Sequence, residues 1–264
     1  MSGPGETGPT PGGARGPDSG SERGTVVFLH AFPLNAGMWA EQAQAVQAAG
    51  WRAVTPDFPG FGSEPLDGAD TLDAFAERIA ATLRGLPVAP VVVGLSMGGY
   101  VAFRLLEQRV ALRGLVLADT KATPDTPEAA ARRRAAADRA QQEGLGWVSG
   151  EVVPGLLSPQ PGPGALNRAQ SLAAGASPEG FANAQRAMAA RPDSRPVLRG
   201  LSVPTLILVG EHDQVTNLDE ARAMAAAVPA ATLAVIPGAG HLSNLENPAG
   251  FNARLLTFLR GLDA

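Results

Sequence analysis

From Thr25 onward the chain alternates short, wholly apolar runs with stretches in which apolar residues recur every three or four positions. Val26-Val27-Phe28-Leu29 and Val91-Val92-Val93 contain no polar position, the pattern of strands covered on both faces. Trp51 to Thr55, Leu112 to Leu117, Thr205 to Val209 and Thr232 to Ile236 read as four further strands. Helices are predicted at 39–49, closed by Gly50, and from Met97 to Gln108. Another spans Thr71 to Leu86, where Leu72, Phe75, Ile79 and Leu83 share a face and Asp70 or Thr71 serves as N-cap. A helix near 218–227 follows, and a last one from Pro248 to Leu262 starts on Asn247 as N-cap with Pro248 at its first position. Pro56 to Gly62 is turn-rich. Strand–helix alternation with doubly apolar strands predicts an α/β fold built on a mostly parallel, doubly wound sheet.

Two stretches break this rhythm. Residues 1–24 are dominated by Gly, Pro, Ser and Thr and read as a disordered tail, with order beginning at Thr25. Residues 121–200 carry helix starts at Thr126-Pro127-Glu128 and Ser177-Pro178-Glu179 but no comparable strand run. They read as a helical insertion over one end of the sheet, which leaves 25–120 and 201–264 as the core. There is no internal repeat.

Composition narrows the partners. Of 264 residues 45% are apolar, enough for a substantial core, and 21 basic against 25 acidic residues leave a net charge of −4, without the basic excess a nucleic-acid partner calls for. No cysteine is present, which excludes thiolate ligands and a cysteine nucleophile, and three dispersed histidines argue against a metal site. Neither a membrane-length apolar run nor a signal-peptide core occurs, so a cytoplasmic protein without membrane association or cofactor is expected. The composition also suggests a GC-rich bacterial source.

The candidate chemistry centres on Gly94-Leu95-Ser96-Met97-Gly98. A serine flanked two residues away on each side by glycine, after a buried strand and before a helix, sits on a tight, strained turn that lifts its hydroxyl above the sheet. The helix start beneath it offers backbone N–H groups, that of Met97 above all, to a developing oxyanion. Serine needs a base, and His241, in the glycine-flanked loop after the final strand, is the candidate. A carboxylate should fix the imidazole; Asp213 follows the strand at 205–209, with Asp119 and Glu211 as rivals.

The chain order Ser96…Asp213…His241 resembles the α/β-hydrolase superfamily. The resemblance is carried by Leu29-His30-Ala31-Phe32-Pro33, Asp57-Phe58-Pro59-Gly60-Phe61-Gly62, Gly94 to Gly98, Gly210-Glu211-His212-Asp213 and Gly240-His241, and is strongest toward small bacterial carboxylesterases and enol-lactonases. It implies an oxyanion hole of the Phe32 and Met97 amides, His30 bracing that loop, and residues 121–200 as a helical cap. His30, Leu34, Trp147 and Leu242 become substrate-pocket candidates, although Trp147 is equally readable as packing. It implies hydrolysis of a small carboxylic ester or lactone through an acyl-enzyme on Ser96, with no cofactor. Perhydrolase, thioesterase or carbon–carbon bond hydrolase activity on the same residues, or a non-catalytic binding protein, are the alternatives. Dehalogenase chemistry is disfavoured, since it needs an aspartate at position 96.

Two features depart from the family. Ala31 replaces the usual glycine after His30, and the two antiparallel strands that normally open the sheet are missing, which leaves about six strands and an uncovered edge near 52–55. Such an edge invites pairing, so a homodimer is a hypothesis. Trp39 and Trp51 read as packing residues, Arg132-Arg133-Arg134 as a solvated helix face, and Asp57 as either a turn cap or a support for the His30 loop.

Overall fold

The computed structural model describes residues 22–262. Most of the expected N-terminal tail therefore lies outside the described residues, but Arg23 and Gly24 already belong to the fold: the Arg23 amide donates to Gly50 O at 3.0 Å and the Arg52 amide to Gly24 O at 2.9 Å.

Six strands form one sheet: β1 (Thr25–Leu29), β2 (Arg52–Val54), β3 (Val91–Leu95), β4 (Gly114–Ala118), β5 (Thr205–Gly210) and β6 (Ala231–Ile236). Their order is β2-β1-β3-β4-β5-β6 and every pairing is parallel. The inner strands β1, β3, β4 and β5 are buried along their whole length, while β2 and β6 keep exposed positions. This is the physical source of the uninterrupted apolar runs, because a strand covered by helices on both faces has no side to leave polar. β2 is shorter than the predicted 51–55, with Arg52 in solvent at the sheet edge.

Helices cover both faces. Between the strands lie α1 (Ala40–Ala48), α2 (Leu72–Arg84), α3 (Met97–Glu107) and, further on, α9 (Leu218–Ala227), while α10 (Ser243–Glu246) and α11 (Pro248–Gly261) follow β6. The Thr71 hydroxyl caps α2 by accepting from Ala74 N–H at 3.1 Å, and Asn247 caps α11 by accepting from Gly250 N–H at 2.9 Å. Trp39 is fully buried between Phe28 and Phe251, and Trp51 lies under the Arg113 guanidinium.

From β1 the chain goes outward to β2, returns past β1 to β3, and continues through β4 and β5 to β6. The direction of growth thus reverses between β1 and β3. In an open parallel sheet that reversal opens a crevice at the carboxyl ends of the strands, where ligands collect.

Residues between β4 and β5 form five helices, α4 (Pro127–Glu143), α5 (Val148–Glu151), α6 (Ala165–Ala173), α7 (Pro178–Ala189) and α8 (Arg195–Arg199), with a 3₁₀ turn at Val153–Leu156. The Thr126 and Ser177 hydroxyls cap α4 and α7. Only Arg132 and Arg134 of the arginine run face solvent. Arg133 turns inward, its Nε 2.7 Å from Asp125 and its Nη1 donating to Gln185 at 3.0 Å, because α7 packs along that side of α4. The inserted helices are welded to the turn at 60–62: Ser177 N–H donates to Gly60 O at 2.8 Å and Gly62 N–H to Gly175 O at 3.0 Å. Gly60 and Gly180 touch backbone to backbone there, so a Cβ on Gly180 would lie 2.6 Å from Gly60 Cα.

Candidate active site

The loops leaving the carboxyl ends of β1, β3, β4, β5 and β6 converge above the reversal point. Ser96 stands between β3 and α3 with φ 54° and ψ −112°, a positive-φ conformation that a non-glycine residue holds only when its surroundings impose it. The imposing contacts are visible. Ser96 N–H donates to Ala118 O at 3.0 Å, Thr120 Oγ1 donates to Ser96 O at 2.9 Å, and glycines fill the inside of the bend. A Cβ on Gly94 would lie 2.5 Å from Gly98 O, and one on Gly98 would lie 2.1 Å from Leu29 O.

The bend aims the hydroxyl at the loop after β6. Ser96 Oγ is 2.8 Å from His241 Nε2, and His241 Nδ1 is 2.9 Å from Asp213 Oδ2. With Nδ1–H donating to the carboxylate, Nε2 is left as the acceptor for the serine proton. All three residues are buried, Ser96 retaining 8% of its surface. Asp213 also accepts from Val215 N–H at 2.7 Å, Thr216 N–H at 3.0 Å and Thr216 Oγ1 at 2.7 Å. Burial by itself would raise its pKa; the facing imidazole and these hydrogen bonds outweigh burial and hold the carboxyl below its ordinary range, so it stays ionised. The amides of Phe32, in the loop after β1, and Met97, directly after Ser96, have no hydrogen-bond partner among the described residues.

Asp119 and Glu211 stand elsewhere. Asp119 is buried beneath the Asp213 loop, its Oδ1 accepting from Gly210 N–H at 2.7 Å. Glu211 points away and accepts from Gly238 N–H at 2.9 Å. His212 is half exposed.

His30 is not a pocket wall. It is fully buried, its Nε2 accepts from Phe58 N–H at 3.0 Å, its Nδ1 donates to Ala31 O at 3.1 Å, and its ring packs on Phe58 and Phe61. Burial lowers its pKa to about 4, against smaller opposing contributions from the Ala31 carbonyl and Asp57. It is therefore a neutral brace between the β1 loop and the turn at 56–62. Asp57 does both tasks foreseen for it: Oδ1 accepts from Ala36 N–H at 2.6 Å and Oδ2 from Ser63 N–H at 3.1 Å. Leu34 and Leu242 are also fully buried. Trp147 is half buried, edge-on to Phe181, with the Arg139 guanidinium over its ring.

Three contributors escaped the sequence. Thr216 holds Asp213, and the Asp-x-x-Thr spacing of a side-chain-capped turn was the available signal. Leu156 accepts the His241 amide proton at 3.0 Å, and Glu246 clamps Gly240 N–H at 2.7 Å and Ser158 N–H at 2.9 Å. Both tie the inserted helices to the loop of His241, and neither has a local sequence sign.

A parallel sheet of this order with a serine bend and a Ser-His-Asp hydrogen-bonded chain at its carboxyl edge defines the α/β class of hydrolases. The model of the alpha/beta hydrolase family matches residues 26–254, and the chain belongs to that family. It is 29% identical over 231 residues to 3-oxoadipate enol-lactonase 1 of Acinetobacter baylyi, covering 86% of this chain and 85% of that enzyme. It is 32% identical over 250 residues to 2-succinyl-6-hydroxy-2,4-cyclohexadiene-1-carboxylate synthase of Salmonella agona, covering 89% of this chain and 94% of that one. Among solved structures, a thermophilic esterase from Thermogutta terrifontis superposes with a TM-score of 0.86 at 38% identity, covering 91% of this chain and 90% of that chain. No helix among the described residues is long and apolar enough to cross a membrane.

Proposed function

We propose that this α/β-hydrolase cleaves a small carboxylic ester or lactone through an acyl-enzyme on Ser96. The observation that carries the reading is the 2.8 Å contact of Ser96 Oγ with His241 Nε2; the amides of Phe32 and Met97, which have no partner among the described residues, are the donors we assign to the oxyanion. Similarity to an enol-lactonase and an esterase supports the substrate class.

His241 Nε2 takes the Ser96 proton as Oγ bonds to the acyl carbon, and the carbonyl oxygen becomes an oxyanion held by the Phe32 and Met97 amides. Ionised Asp213 stabilises the imidazolium through the Nδ1–H bond. The tetrahedral intermediate collapses by breaking the bond to the leaving oxygen, which takes the proton from His241 Nε2. Water then repeats the sequence on the acyl-enzyme and restores Ser96. In this scheme the inserted helices act as a cap that shapes the acyl and alcohol sites.

The test is turnover of p-nitrophenyl acetate and butyrate by the wild type and by Ser96→Ala. Removing a triad member costs on the order of 10⁴–10⁶-fold in kcat, so Ser96→Ala is expected to be inert while still folded. Equal rates would remove Ser96 from the reaction. A wild type that neither turns over esters nor labels with a fluorophosphonate would point to a binding protein instead.

A further inference from the structure

One buried carboxyl has no part in this scheme. Asp119 follows β4 directly, is fully buried, and holds a φ of 43° in the left-handed region. Its own amide donates to Leu208 O at 2.9 Å, which pins its backbone to β5. Its two oxygens serve different loops. Oδ1 accepts from Gly210 N–H at 2.7 Å, where the run to Asp213 begins. Oδ2 meets Ser243, two residues past His241, through a close contact with the hydroxyl and a longer one of 3.4 Å to the amide. The two loops also touch each other: His212 N–H donates to Ala239 O at 2.8 Å, and a Cβ on Gly210 would lie 2.0 Å from Gly240 O.

Resting on the Ser96–His241–Asp213 reading, we propose that Asp119 is a positioning residue that brackets the loop carrying Asp213 to the loop carrying His241, and so sets the distance between acid and base. It does so as the neutral acid. Its polar partners are Gly210 and Ser243, neither a cation, and the charged group facing it is Asp213. Burial, and then the charge of Asp213, raise its pKa well above the ordinary value, outweighing the hydrogen bonds from Ser243 and Gly210 that pull it down. In this form Oδ1 accepts from Gly210 while Oδ2–H donates to Ser243 Oγ.

The experiment compares kcat and KM for p-nitrophenyl acetate across the wild type, Asp119→Asn, Asp119→Ala and Ser243→Ala, with active sites counted by fluorophosphonate titration. An asparagine at 119 is the nearest neutral mimic, its carbonyl accepting from Gly210 and its NH₂ donating to Ser243 Oγ, with only the long contact to the Ser243 amide given up. Asp119→Asn is expected to keep kcat within about 3-fold and to leave the acid limb of kcat/KM in place. Asp119→Ala is expected to lose about 10- to 100-fold in kcat per titrated site with little change in KM, the size of effect that a misplacement of about 1 Å produces. Ser243→Ala is expected to lose less, since the Gly210 bond remains. A purely structural role would reduce the number of titrated sites and leave kcat per site unchanged; that result overturns the proposal. So does an Asp119→Asn as impaired as Asp119→Ala, or one whose acid limb shifts, which would mean that a charge had been removed. Should Asp119→Ala fail to fold, Asp119→Asn and Ser243→Ala still decide: loss of kcat in the first with none in the second overturns it. Ser96→Ala separates the two readings. If it turns over like wild type the serine mechanism fails, whereas an inert Ser96→Ala beside an unimpaired Asp119→Ala sinks the bracket alone.

Discussion

His30 makes acid the natural enemy of the loop after β1. Its Nε2 is the acceptor for the Phe58 amide, so a proton there both cancels that hydrogen bond and creates a buried charge. Its pKa is about 4 in the folded chain against an ordinary 6.5. Between those values the unfolded chain holds a proton that the folded chain refuses, so stability falls as pH falls, at about 1.4 kcal/mol per pH unit. The contribution is intact above pH 6.5 and is lost by pH 4, a total of about 3 kcal/mol across that interval. A glutamine at 30 keeps an acceptor near the Nε2 position but has nothing to protonate. It forgoes ring packing on Phe58 at 4.6 Å and Phe61 at 5.3 Å, which should cost about 1–3 kcal/mol at neutral pH. The assay is urea unfolding of wild type and His30→Gln from about pH 7.5 down to about pH 4.5. The wild-type advantage should shrink by about 2–3 kcal/mol across that range, and the difference between the two curves removes every other titrating group. A difference that stays constant would refute the assignment of His30 as a neutral brace.

Two further outcomes follow from neighbouring contacts. Thr216→Val keeps the side-chain volume but deletes the hydroxyl donating to Asp213 at 2.7 Å, one of four hydrogen bonds to that carboxylate; kcat should fall about 10-fold with KM unchanged, and an unaltered kcat would show that the three remaining bonds suffice. Gly180→Ala sets a helix-propensity gain of about 1 kcal/mol against a methyl 2.6 Å from Gly60 Cα. Backbone cannot step aside as a side chain would, so the clash should win, lowering Tm and changing KM; a raised Tm would contradict this.

What could be read from the sequence tracks how local each cause is. β1, β3, β4 and β5 were legible because burial on two faces leaves no polar position, and the serine bend because its glycines stand at a fixed spacing around Ser96, although the contact that requires Gly98 comes from Leu29 on β1. The rivalry of Asp119 and Asp213 could not be resolved that way, since both simply follow a strand. What separates them is reach: Asp119 sits directly on the end of β4 and meets Gly210, while Asp213 lies three residues past β5 and meets His241. Arg133 differs from its two neighbours only because α7, more than 40 residues on, covers that side of α4. The four-residue α10 was invisible because it is too short to establish a period.

The hydrogen bond from the His241 amide to the Leu156 carbonyl has a bearing on engineering. On the proposed mechanism this fastens the inserted helices to the main chain of the residue that moves the proton, so residues 145–175 would not be an interchangeable module. A chimera that borrows this stretch from another enzyme would alter more than which molecules are admitted; it would shift the speed at which every admitted molecule is processed, including those that never touch the borrowed residues.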